Sequence, residues 1–411
     1  MITRVEIDGY KSFKNFELEM KPLMVVFGPN ASGKSNLLDA LQLVSKAATE
    51  KNLKVAFEQH RGLPLESLSF YSDQSKRNQF HGEMKFQVDV CLGEKVKALP
   101  EKSISLLREF ARLKLPKLKI TEDCMRYKLS MRVGEAGETR VSEESLFALT
   151  KTSPPQIRKR KPFLETVGKK IEVLAEGESR YFEEKIGLDY TVVSNPSHYL
   201  IPHLSALGYE LEGWWFYYLD PKTLMREDVP ITEIFKIGPR GENLAGFFNT
   251  LKHRNPKQFD ALSKALKLLI PDIDGIDLQT IDKTRVRARI RERSLTYNPA
   301  LVSDGSIRML GLLAILSSLA LSTVIGYEEP ENGVHPQRLK IIADMFKNAQ
   351  RYRGIQCIIT THSSEFASLF DDENLFICRK DNGRTLIKAL KEIEPPFRKD
   401  LIRESLRDPR M

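Results

Sequence analysis

The stretch Gly28-Pro29-Asn30-Ala31-Ser32-Gly33-Lys34-Ser35 decides the fold class of this chain. It fits the pattern G-x-x-x-x-G-K-S/T, a loop whose backbone N–H groups surround the phosphates of a nucleoside triphosphate. Residues 23–27, directly before it, predict a short buried strand, and residues 36–41, directly after it, predict the start of an amphipathic helix. A strand-to-helix turn points backbone N–H groups and the positive end of a helix at an anion. The context therefore favours a phosphate-binding loop over a chance match.

The residue types in this loop predict its ligand chemistry. Gly28 and Gly33 permit the tight curvature. Lys34 is expected to reach the β- and γ-phosphates, and the Ser35 hydroxyl is expected to ligate Mg²⁺. The candidate nucleotide ligands of this segment are Asn30, Ala31, Ser32, Gly33, Lys34, Ser35 and Asn36.

Two later apolar runs end in residues that suit a nucleotide site. Residues 324–329 predict a buried parallel strand that ends in Glu328 and Glu329. One carboxylate would hold the Mg²⁺ hydration shell and the other would polarise an attacking water. Residues 356–361 predict another strand, and His362 at its tip is placed to sense a γ-phosphate. A strand followed by an acidic turn, and a satisfied structural histidine, are the alternative interpretations.

A third segment, Ser303-Asp304-Gly305-Ser306, directly precedes an apolar helix predicted over residues 307–316. Ser-Asp-Gly at a helix start is ordinary N-cap chemistry. It also forms a second cradle for an anion. The segment alone does not distinguish these two roles.

Taken in order, these segments resemble the ABC-type ATPase head of the SMC, Rad50 and RecF group. The closest resemblance is to compact bacterial RecF-like or OLD-like AAA family ATPases of anti-phage and toxin operons. It covers about residues 1–50 and 210–380. The matching segments are 28–35 for the Walker A loop, 303–306 for the signature loop, Glu328-Glu329 for the Walker B end, 330–336 for the D-loop region, His362 for the switch histidine, and 9–14 for the Gly-Phe-Lys-Ser-Phe of SMC heads.

The resemblance implies a fold and a mechanism. The fold is α/β: an ABC-ATPase head of the P-loop NTPase class, with a mixed-sheet core, an antiparallel β subdomain and a compact, mainly helical insertion. The implied cofactors are ATP and Mg²⁺, with Glu329 as general base, His362 as γ-phosphate sensor and Lys11 near the nucleotide. Relatives sandwich two ATPs in a head-to-tail dimer, or higher even oligomer, in which the signature loop of one protomer covers the nucleotide of the other. The implied signature ligands are Ser303, Asp304, Gly305 and Ser306, and the implied metal ligands are Ser35 and Glu328.

Two positions depart from the family pattern, and the Q-loop glutamine is not placed. The first Walker B carboxylate is normally Asp, whereas Glu328 stands here, so direct ligation of the metal is in question. Ala31 replaces the usual glycine of the phosphate loop. Gln59 and Gln79 are both candidates for the Q-loop glutamine, and neither has a distinguishing context.

Length and composition indicate a globular enzyme of two or three structural units, since 411 residues allow a large core. The four cysteines show no paired or metal-like spacing, which favours free thiols in a reducing cytoplasm. The N-terminus shows no signal-peptide pattern, and no apolar run reaches about 18 residues. We therefore expect a soluble cytoplasmic protein without a membrane partner.

The motifs predict three regions. Residues 1–95 are expected to form the N-terminal lobe with the phosphate loop, 96–210 a compact insertion, and 211–411 the C-terminal lobe. Relatives project a coiled coil from the place of the insertion. Prolines such as Pro100, Pro116 and Pro154 would interrupt a long heptad run here.

The excess of basic residues raises the question whether this protein binds nucleic acid. The chain carries 64 Lys plus Arg against 55 Asp plus Glu, a net charge of +9, and this excess is modest. In a strand over residues 285–291 four guanidinium groups would share one face, and a second basic block lies at residues 158–161. Both are candidates for a DNA, RNA or partner surface, and a solvated face is the alternative. The residues of the stripe are Arg285, Arg287, Arg289 and Arg291.

The resemblance also implies a biological role. OLD-type relatives carry a C-terminal TOPRIM nuclease, and only 49 residues follow His362, so we expect no such domain in this chain. The sequence therefore favours a sensor or regulatory ATPase of a bacterial anti-phage system whose nuclease or toxin effector is separately encoded. The alternative is a RecF- or SMC-like DNA repair or recombination ATPase. In a third interpretation, the protein binds ATP as a structural ligand and does not hydrolyse it.

Overall fold

The computed structural model describes residues 1–58, 60–69, 82–100, 102, 119–174, 181–195, 201–293 and 295–392. The strands in chain order are β1 (Ile2–Asp8), β2 (Phe16–Glu19), β3 (Leu23–Phe27), β4 (Glu83–Cys91), β5 (Cys124–Val133), β6 (Thr139–Ala148), β7 (Leu164–Val167), β8 (Lys170–Leu174), β9 (Tyr181–Lys185), β10 (Trp214–Tyr217), β11 (Val229–Pro230), β12 (Ile273–Ile281), β13 (Arg285–Glu292), β14 (Leu295–Tyr297), β15 (Val324–Glu328), β16 (Gln356–Thr361), β17 (Leu375–Asp381) and β18 (Arg384–Ala389). The helices are α1 (Lys34–Thr49), α2 (Leu53–Glu58), α3 (Pro202–Glu212), α4 (Leu244–Arg254), α5 (Pro256–Leu269), α6 (Asp304–Leu316), α7 (Pro336–Arg353) and α8 (Ser364–Ala367).

The central sheet has the strand order β10-β15-β16-β3-β17-β18. Its first five strands are parallel, and β18 pairs antiparallel with β17. All residues of β3 and β16 are buried, as expected for parallel strands covered on both faces. The predicted strands at 23–27, 324–329 and 356–361 are therefore neighbours in one sheet.

Alternate residues of these strands enter two separate cores. Met24 and Val26 pack into a core shared with α1, α3 and the N-terminal strands. Val25 and Phe27 pack into a second core with α4 to α7. This alternation follows from the two-residue period of a strand, and it places helices on opposite faces of the sheet.

Sequence signals explain several helix boundaries. Ser303 caps α6 by accepting a hydrogen bond from the backbone N–H of Ser306 at 3.2 Å. His335 caps α7, Pro336 occupies its first turn, and Gly354 ends it at φ 67°. The apolar helix predicted over residues 307–316 lies within α6 and ends with it.

The second sheet is antiparallel and has the order β2-β1-β4-β5-β6-β7-β8-β9. Strands on both sides of residue 95 belong to it, so the described part of the predicted insertion extends the first lobe. The expectation of a mainly helical insertion is wrong for residues 119–174 and 181–195, which contribute five strands. The physical reason is the apolar period: β5 buries Met125, Tyr127, Leu129, Met131 and Val133 at every second position, which suits a sheet rather than a helix.

The expectation of four free cysteines is also wrong. Cys91 and Cys124 lie opposite each other in the ladder between β4 and β5 and form a disulfide. Their separation of 33 residues gives no hint of this pairing, because the strand register brings them together. Cys357 and Cys378 are free and buried.

The third sheet, β11-β13-β12 with β14 added to β13, packs beside α4 and α5. It carries the four arginines of residues 285–291. In the described part of the chain, no helix combines the length and apolarity needed to cross a lipid bilayer.

Candidate functional site

The candidate site lies where three neighbouring parallel strands end. The phosphate loop follows β3, Glu328 ends β15, and His362 follows β16. These strands are adjacent in the order β15-β16-β3, so their carboxyl ends meet at one edge of the sheet. Ligands of open α/β sheets bind at this edge. The tertiary structure therefore brings together the residues that the sequence places about 300 positions apart.

The phosphate loop has the geometry of an anion cradle. Ala31 and Gly33 adopt left-handed conformations with φ values of 62° and 104°. Gly33 is the N-cap of α1, and no side chain caps this helix, so its first N–H groups are available to an anion. A Cβ on Gly33 would lie 1.9 Å from Thr385 Oγ1, which makes glycine necessary at this position. A phosphate group fits this arrangement of donors.

Lys34 lies inside the loop. Its ammonium donates hydrogen bonds to the carbonyl oxygens of Gly28 and Pro29, each at 2.9 Å. Burial lowers the pKa of Lys34, while Cys378 and the nearby glutamates oppose this shift. A buried cation bonded only to neutral carbonyls is well suited to exchange one of them for a phosphate oxygen.

A series of side-chain hydrogen bonds connects α1 to the phosphate loop through Ser12 and Thr385. Asn36 Nδ2 donates to Ser12 Oγ at 2.7 Å, and Ser12 Oγ lies 2.7 Å from Thr385 Oγ1. Thr385 Oγ1 in turn donates to the carbonyl oxygen of Ser32 at 2.9 Å. Asn36 therefore belongs to this series of hydrogen bonds, whereas Asn30 is exposed in the phosphate loop.

Ser35 and Glu328, the expected metal ligands, are in direct contact through Ser35 Oγ and Glu328 Oε1. Both offer hard oxygen atoms, the ligands that Mg²⁺ prefers. The longer glutamate side chain thus reaches the hydroxyl of the phosphate loop, and direct ligation of a metal by Glu328 stays a prediction. Ser35 and Glu328 are the residues that would hold Mg²⁺, which would neutralise phosphate charge there.

Arg61 is a site residue that sequence reasoning missed. Its guanidinium pairs with Glu328 Oε2, lies 3.6 Å from Asp39 Oδ1 and stacks over the Tyr218 ring at 4.0 Å. Burial raises the pKa of Glu328, but the hydrogen bonds from Arg61 and Ser35 outweigh burial, and the net shift is downward. Arg61 lies in a loop without any periodic pattern, so only the fold reveals its position.

Lys11 was expected near the nucleotide. Its ammonium forms an ion pair with Asp39 Oδ2 on α1 at 2.8 Å. Burial raises the pKa of Asp39, and Lys11 and Arg61 oppose that shift. Lys11, Asp39 and Arg61 therefore form one charge network that continues to Glu328.

Glu329 and His362, the expected catalytic pair, are adjacent. Glu329 Oε1 lies 3.2 Å from His362 Nδ1, and Glu329 Oε2 accepts a hydrogen bond from Asn332 Nδ2 at 2.5 Å. Glu329 adopts φ 50°, a left-handed conformation that is uncommon outside glycine, and its N–H donates to the carbonyl oxygen of Thr360 at 2.8 Å. The backbone and Asn332 thus fix this carboxylate beside the histidine.

Several buried polar atoms at this edge of the sheet have no hydrogen-bond partner among the described residues. A ligand with phosphate oxygens and bound water would supply partners, since unsatisfied buried polar groups are costly. These atoms are Ser32 Oγ, Thr360 Oγ1 and Glu331 Oε2. His362 Nδ1 also lacks a hydrogen bond, but it lies beside Glu329 Oε1 at 3.2 Å. Glu331 belongs to the predicted D-loop region, for which the sequence analysis assigned no individual residue role.

The signature loop lies at the start of α6. Ser303 Oγ donates to Ser306 Oγ at 2.9 Å, and Arg226 donates to Asp304 Oδ1 at 2.7 Å. A Cβ on Gly305 would lie 2.3 Å from the carbonyl oxygen of Gly333, so the loop touches the D-loop region of its own chain. Among the described residues, none of its hydrogen bonds reaches residues 28–35.

The four arginines of β13 lie on one face, as predicted, because Val286, Ala288 and Ile290 between them are buried. Each guanidinium has a partner in this chain, which the sequence did not indicate. Their partners are the Asp228 carbonyl for Arg285, the Asp228 carboxylate at 2.6 Å for Arg287, the Thr296 carbonyl at 2.8 Å for Arg289 and Asp277 at 3.6 Å for Arg291.

The second basic block is partly neutralised in the same way. Arg158 and Arg160 each lie 3.2 Å from a carboxylate oxygen of Glu122. The two Q-loop candidates, Gln59 and Gln79, lie outside the described residues.

Comparison with solved structures shows the same fold in SMC heads. The structure titled "Crystal structure of the SmcHead bound to the C-winged helix domain of ScpA" is 13% identical, with a TM-score of 0.56 over 95% of this chain and 99% of that one. An SMC head with an extended coiled coil from Pyrococcus furiosus is 12% identical, with a TM-score of 0.55 over 99% of each chain. An SMC head with a coiled coil and joint from Pyrococcus yayanosii is 10% identical, with a TM-score of 0.53 over 98% of this chain and 99% of that one.

No curated protein matches the sequence. A family model described as "AAA domain, putative AbiEii toxin, Type IV TA system" matches residues 23–368, a range that includes the phosphate loop, Glu328, Glu329 and His362. The fold is that of SMC head domains. Because the family match spans residues 23–368, which is most of the sequence, the chain belongs to this AbiEii-type AAA family.

Proposed function

We propose that this chain binds ATP with Mg²⁺ and hydrolyses it. The observation that carries the proposal is the convergence of the phosphate loop, Glu328, Glu329 and His362 at the carboxyl ends of β3, β15 and β16. The loop's uncapped helix start and buried Lys34 suit a polyphosphate, and Ser35 with Glu328 suits Mg²⁺.

The residues take distinct roles in this proposal. Lys34 and the loop N–H groups bind the phosphates, and bound Mg²⁺ supplies charge neutralisation on them. Glu329 accepts a proton from the attacking water, because its carboxylate is held by Asn332 and its side chain is 27% exposed. His362 contacts the γ-phosphate from the neighbouring strand end.

The active form is a head-to-tail homodimer, or a higher even oligomer built from it. The hydrogen bonds of Ser303, Asp304 and Ser306 stay within the signature loop and its Arg226 clamp in the described structure. Arg226 also binds the carbonyl oxygen of Val302 at 2.9 Å, so the loop is held in place without the phosphate loop of its own chain. A second copy would supply the signature loop that completes each site.

The biological role that we propose is that of a sensor or regulatory ATPase in a bacterial anti-phage or toxin system. Its support is the family match to a domain described with a type IV toxin–antitoxin system. The effector would be a separately encoded nuclease or toxin that responds to the nucleotide state of the dimer. This role does not require nucleic acid, because each arginine of the β13 stripe has a partner within this chain.

ATP turnover of the Glu329→Gln variant tests the chemistry. We expect this variant to retain ATP, lose hydrolysis and accumulate dimers, whereas Lys34→Ala should fail to bind ATP. Exposed Glu365 gives a control, since Glu365→Gln removes a nearby charge without touching the proposed machinery. Wild-type turnover in Glu329→Gln would exclude Glu329 as the general base.

Complementation between two inactive variants tests the dimer. Lys34→Ala retains an intact signature loop, and Ser303→Arg retains an intact phosphate loop. A mixture should regain part of the activity, because one of the two sites in each mixed dimer has both intact halves. Two inactive variants that stay inactive when mixed, although native mass spectrometry detects mixed dimers, would contradict the head-to-tail arrangement.

The alternative function is a RecF- or SMC-like DNA repair ATPase. Turnover measured with and without double-stranded DNA separates the two. Strong stimulation that falls steeply with salt would favour the repair role. Turnover indifferent to DNA, with a co-purifying nuclease or toxin, would favour the defence role.

A further inference from the structure

We propose that Glu331 is a positioning residue for His362: it fixes the imidazole so that Nδ1 faces two carboxylates and the other ring nitrogen is presented to the γ-phosphate. This inference rests on the proposed function. Glu331 lies two residues beyond the proposed general base, in a turn that the sequence assigned only to the D-loop region.

The contacts of Glu331 point to the end of β16. Glu331 Oε1 accepts a hydrogen bond from Thr361 Oγ1 at 2.5 Å and a weaker one from the N–H of His362 at 3.3 Å. The same oxygen lies 3.6 Å from His362 Nδ1. One carboxylate oxygen therefore contacts the side chain before the histidine, the backbone of the histidine and the ring itself.

The burial of Glu331 is unusual for a residue of its type. Glu331 is 8% exposed, whereas glutamate residues mostly lie in contact with solvent. Burial raises the pKa of Glu331, and the hydrogen bonds from Thr361 and His362 oppose this shift. A buried carboxyl group of this kind is retained at a cost, so a role beyond packing is expected.

Two carboxylate oxygens lie close to His362 Nδ1. Glu329 Oε1 is 3.2 Å from this nitrogen and Glu331 Oε1 is 3.6 Å from it. Neither contact has hydrogen-bond geometry among the described residues, and Glu331 Oε2 also lacks a hydrogen bond. Because both neighbouring oxygens are acceptors, a small rotation of the ring would let Nδ1 donate to them, which favours the tautomer with a proton on Nδ1.

The turn that carries Glu331 also links the two catalytic groups. The N–H of Asn332 donates to the carbonyl oxygen of Glu329 at 3.2 Å, and the N–H of Val334 donates to that of Glu331 at 3.1 Å. Asn332 holds Glu329 through its side chain, and Glu331 holds His362. The base and the sensor are therefore fixed relative to each other by one short turn.

Two measurements test the proposal. We expect Glu331→Ala to lower kcat on the order of 10- to 100-fold, as misplacement of a catalytic group does, with ATP affinity changed less than about twofold. Glu331→Gln keeps one acceptor oxygen and should recover part of kcat. Thr361→Val, which removes the hydroxyl donor to Glu331 together with the acceptor for the N–H of Ser363 at 2.9 Å, should have a smaller effect of the same kind. The charge control is Glu365→Gln, which should match the wild type.

The second measurement is the tautomer of His362 by NMR of ¹⁵N-histidine-labelled protein. The chain has seven histidines, and His362→Asn identifies the signal. We expect a proton on Nδ1 in the wild type and loss of this preference in Glu331→Ala, whereas a merely structural residue would leave it unchanged. If Glu331→Ala does not fold, Glu331→Gln and Thr361→Val carry the same test.

Failure of the positioning role and failure of the proposed function give different results. Wild-type kcat and an unchanged His362 signal in folded Glu331→Ala would overturn the positioning role. If the wild type itself shows no turnover, the proposed function fails, and the NMR signal still decides whether Glu331 positions the ring.

Discussion

The guanidinium of Arg61 contacts one carboxylate oxygen of Glu328 while the hydroxyl of Ser35 contacts the other. The first Walker B carboxylate is thus shared between a cation and the phosphate loop. Arg61 also lies 3.6 Å from Asp39, whose other oxygen pairs with Lys11. Arg61 and Lys11 neutralise the partly buried carboxylates of Glu328 and Asp39. The same charge network therefore contributes to the stability of the lobe and to the candidate metal site.

Replacing Arg61 by alanine should destabilise the protein. The change leaves Glu328 without its cation and weakens the pairing of Asp39, at a cost of about 1–3 kcal/mol in the free energy of unfolding. We place the cost in this range because the Arg61 side chain is 33% exposed. Arg61→Lys keeps the charge and should lose less. Urea denaturation of the three proteins measures this, and equal midpoints would show that the ion pair contributes nothing net.

The phosphate loop offers a matched pair of glycine and alanine changes. Gly33→Ala places a Cβ where Thr385 Oγ1 lies, at φ 104°, and should abolish binding of a fluorescent ATP analogue. Ala31→Gly removes the strain of a left-handed alanine at φ 62° and should preserve binding with stability within about 1 kcal/mol of the wild type. Full binding by Gly33→Ala would contradict the packing of β18 against the loop.

Glu144 on β6 predicts a pH dependence of stability. It is fully buried and accepts hydrogen bonds from Tyr127 Oη at 2.9 Å and the N–H groups of Val192 and Val193 at 2.6 and 3.2 Å. Burial raises the pKa of Glu144 from 4.5 to about 7, against the effect of these hydrogen bonds. The folded state therefore keeps a proton that the unfolded chain releases, and stability falls as pH rises from about 4.5 to about 7.

The Glu144→Gln variant isolates this effect. Glutamine does not titrate, so the difference in unfolding free energy between wild type and variant should change by up to the order of 3 kcal/mol across that range. The wild type should lose stability relative to the variant as the pH rises, because only the carboxyl group titrates. A difference that is constant with pH would show that Glu144 does not titrate in this interval.

The arginine stripe gives a prediction about nucleic acid. Arg287→Glu places a carboxylate against Asp228 and should lower stability by about 1 kcal/mol, whether or not DNA binds. Arg291 is the cleaner probe, since it lies 3.6 Å from Asp277 and both side chains are well exposed. If the stripe contacts DNA or RNA, Arg291→Glu should weaken binding and reduce its salt dependence. Fluorescence anisotropy with labelled DNA at several salt concentrations measures both, and unchanged binding would indicate a solvated, internally paired face.

Local patterns predicted much of the core. Five consecutive apolar residues before the phosphate loop indicated β3, and Ser303-Asp304-Gly305 indicated the start of α6 through N-cap chemistry. The secondary structure of the insertion was harder to predict, because its prolines exclude a long coiled coil but do not distinguish short helices from strands. Its strands pair with partners far along the chain, and the register that joins Cys91 to Cys124 exists only in the folded sheet.

The sequence by itself determined the chemistry of the candidate site: a phosphate loop, two carboxylates and a histidine, each at the end of an apolar run that specifies a strand through its own composition. Only the tertiary structure decided which groups meet. Strand order places β15, β16 and β3 side by side, so that Glu329 reaches His362, Glu331 reaches Thr361, and Arg61 from an irregular loop reaches Glu328. The physical reason is that composition acts over a few residues, whereas these contacts are fixed by long-range pairing of strands and by burial in a shared core.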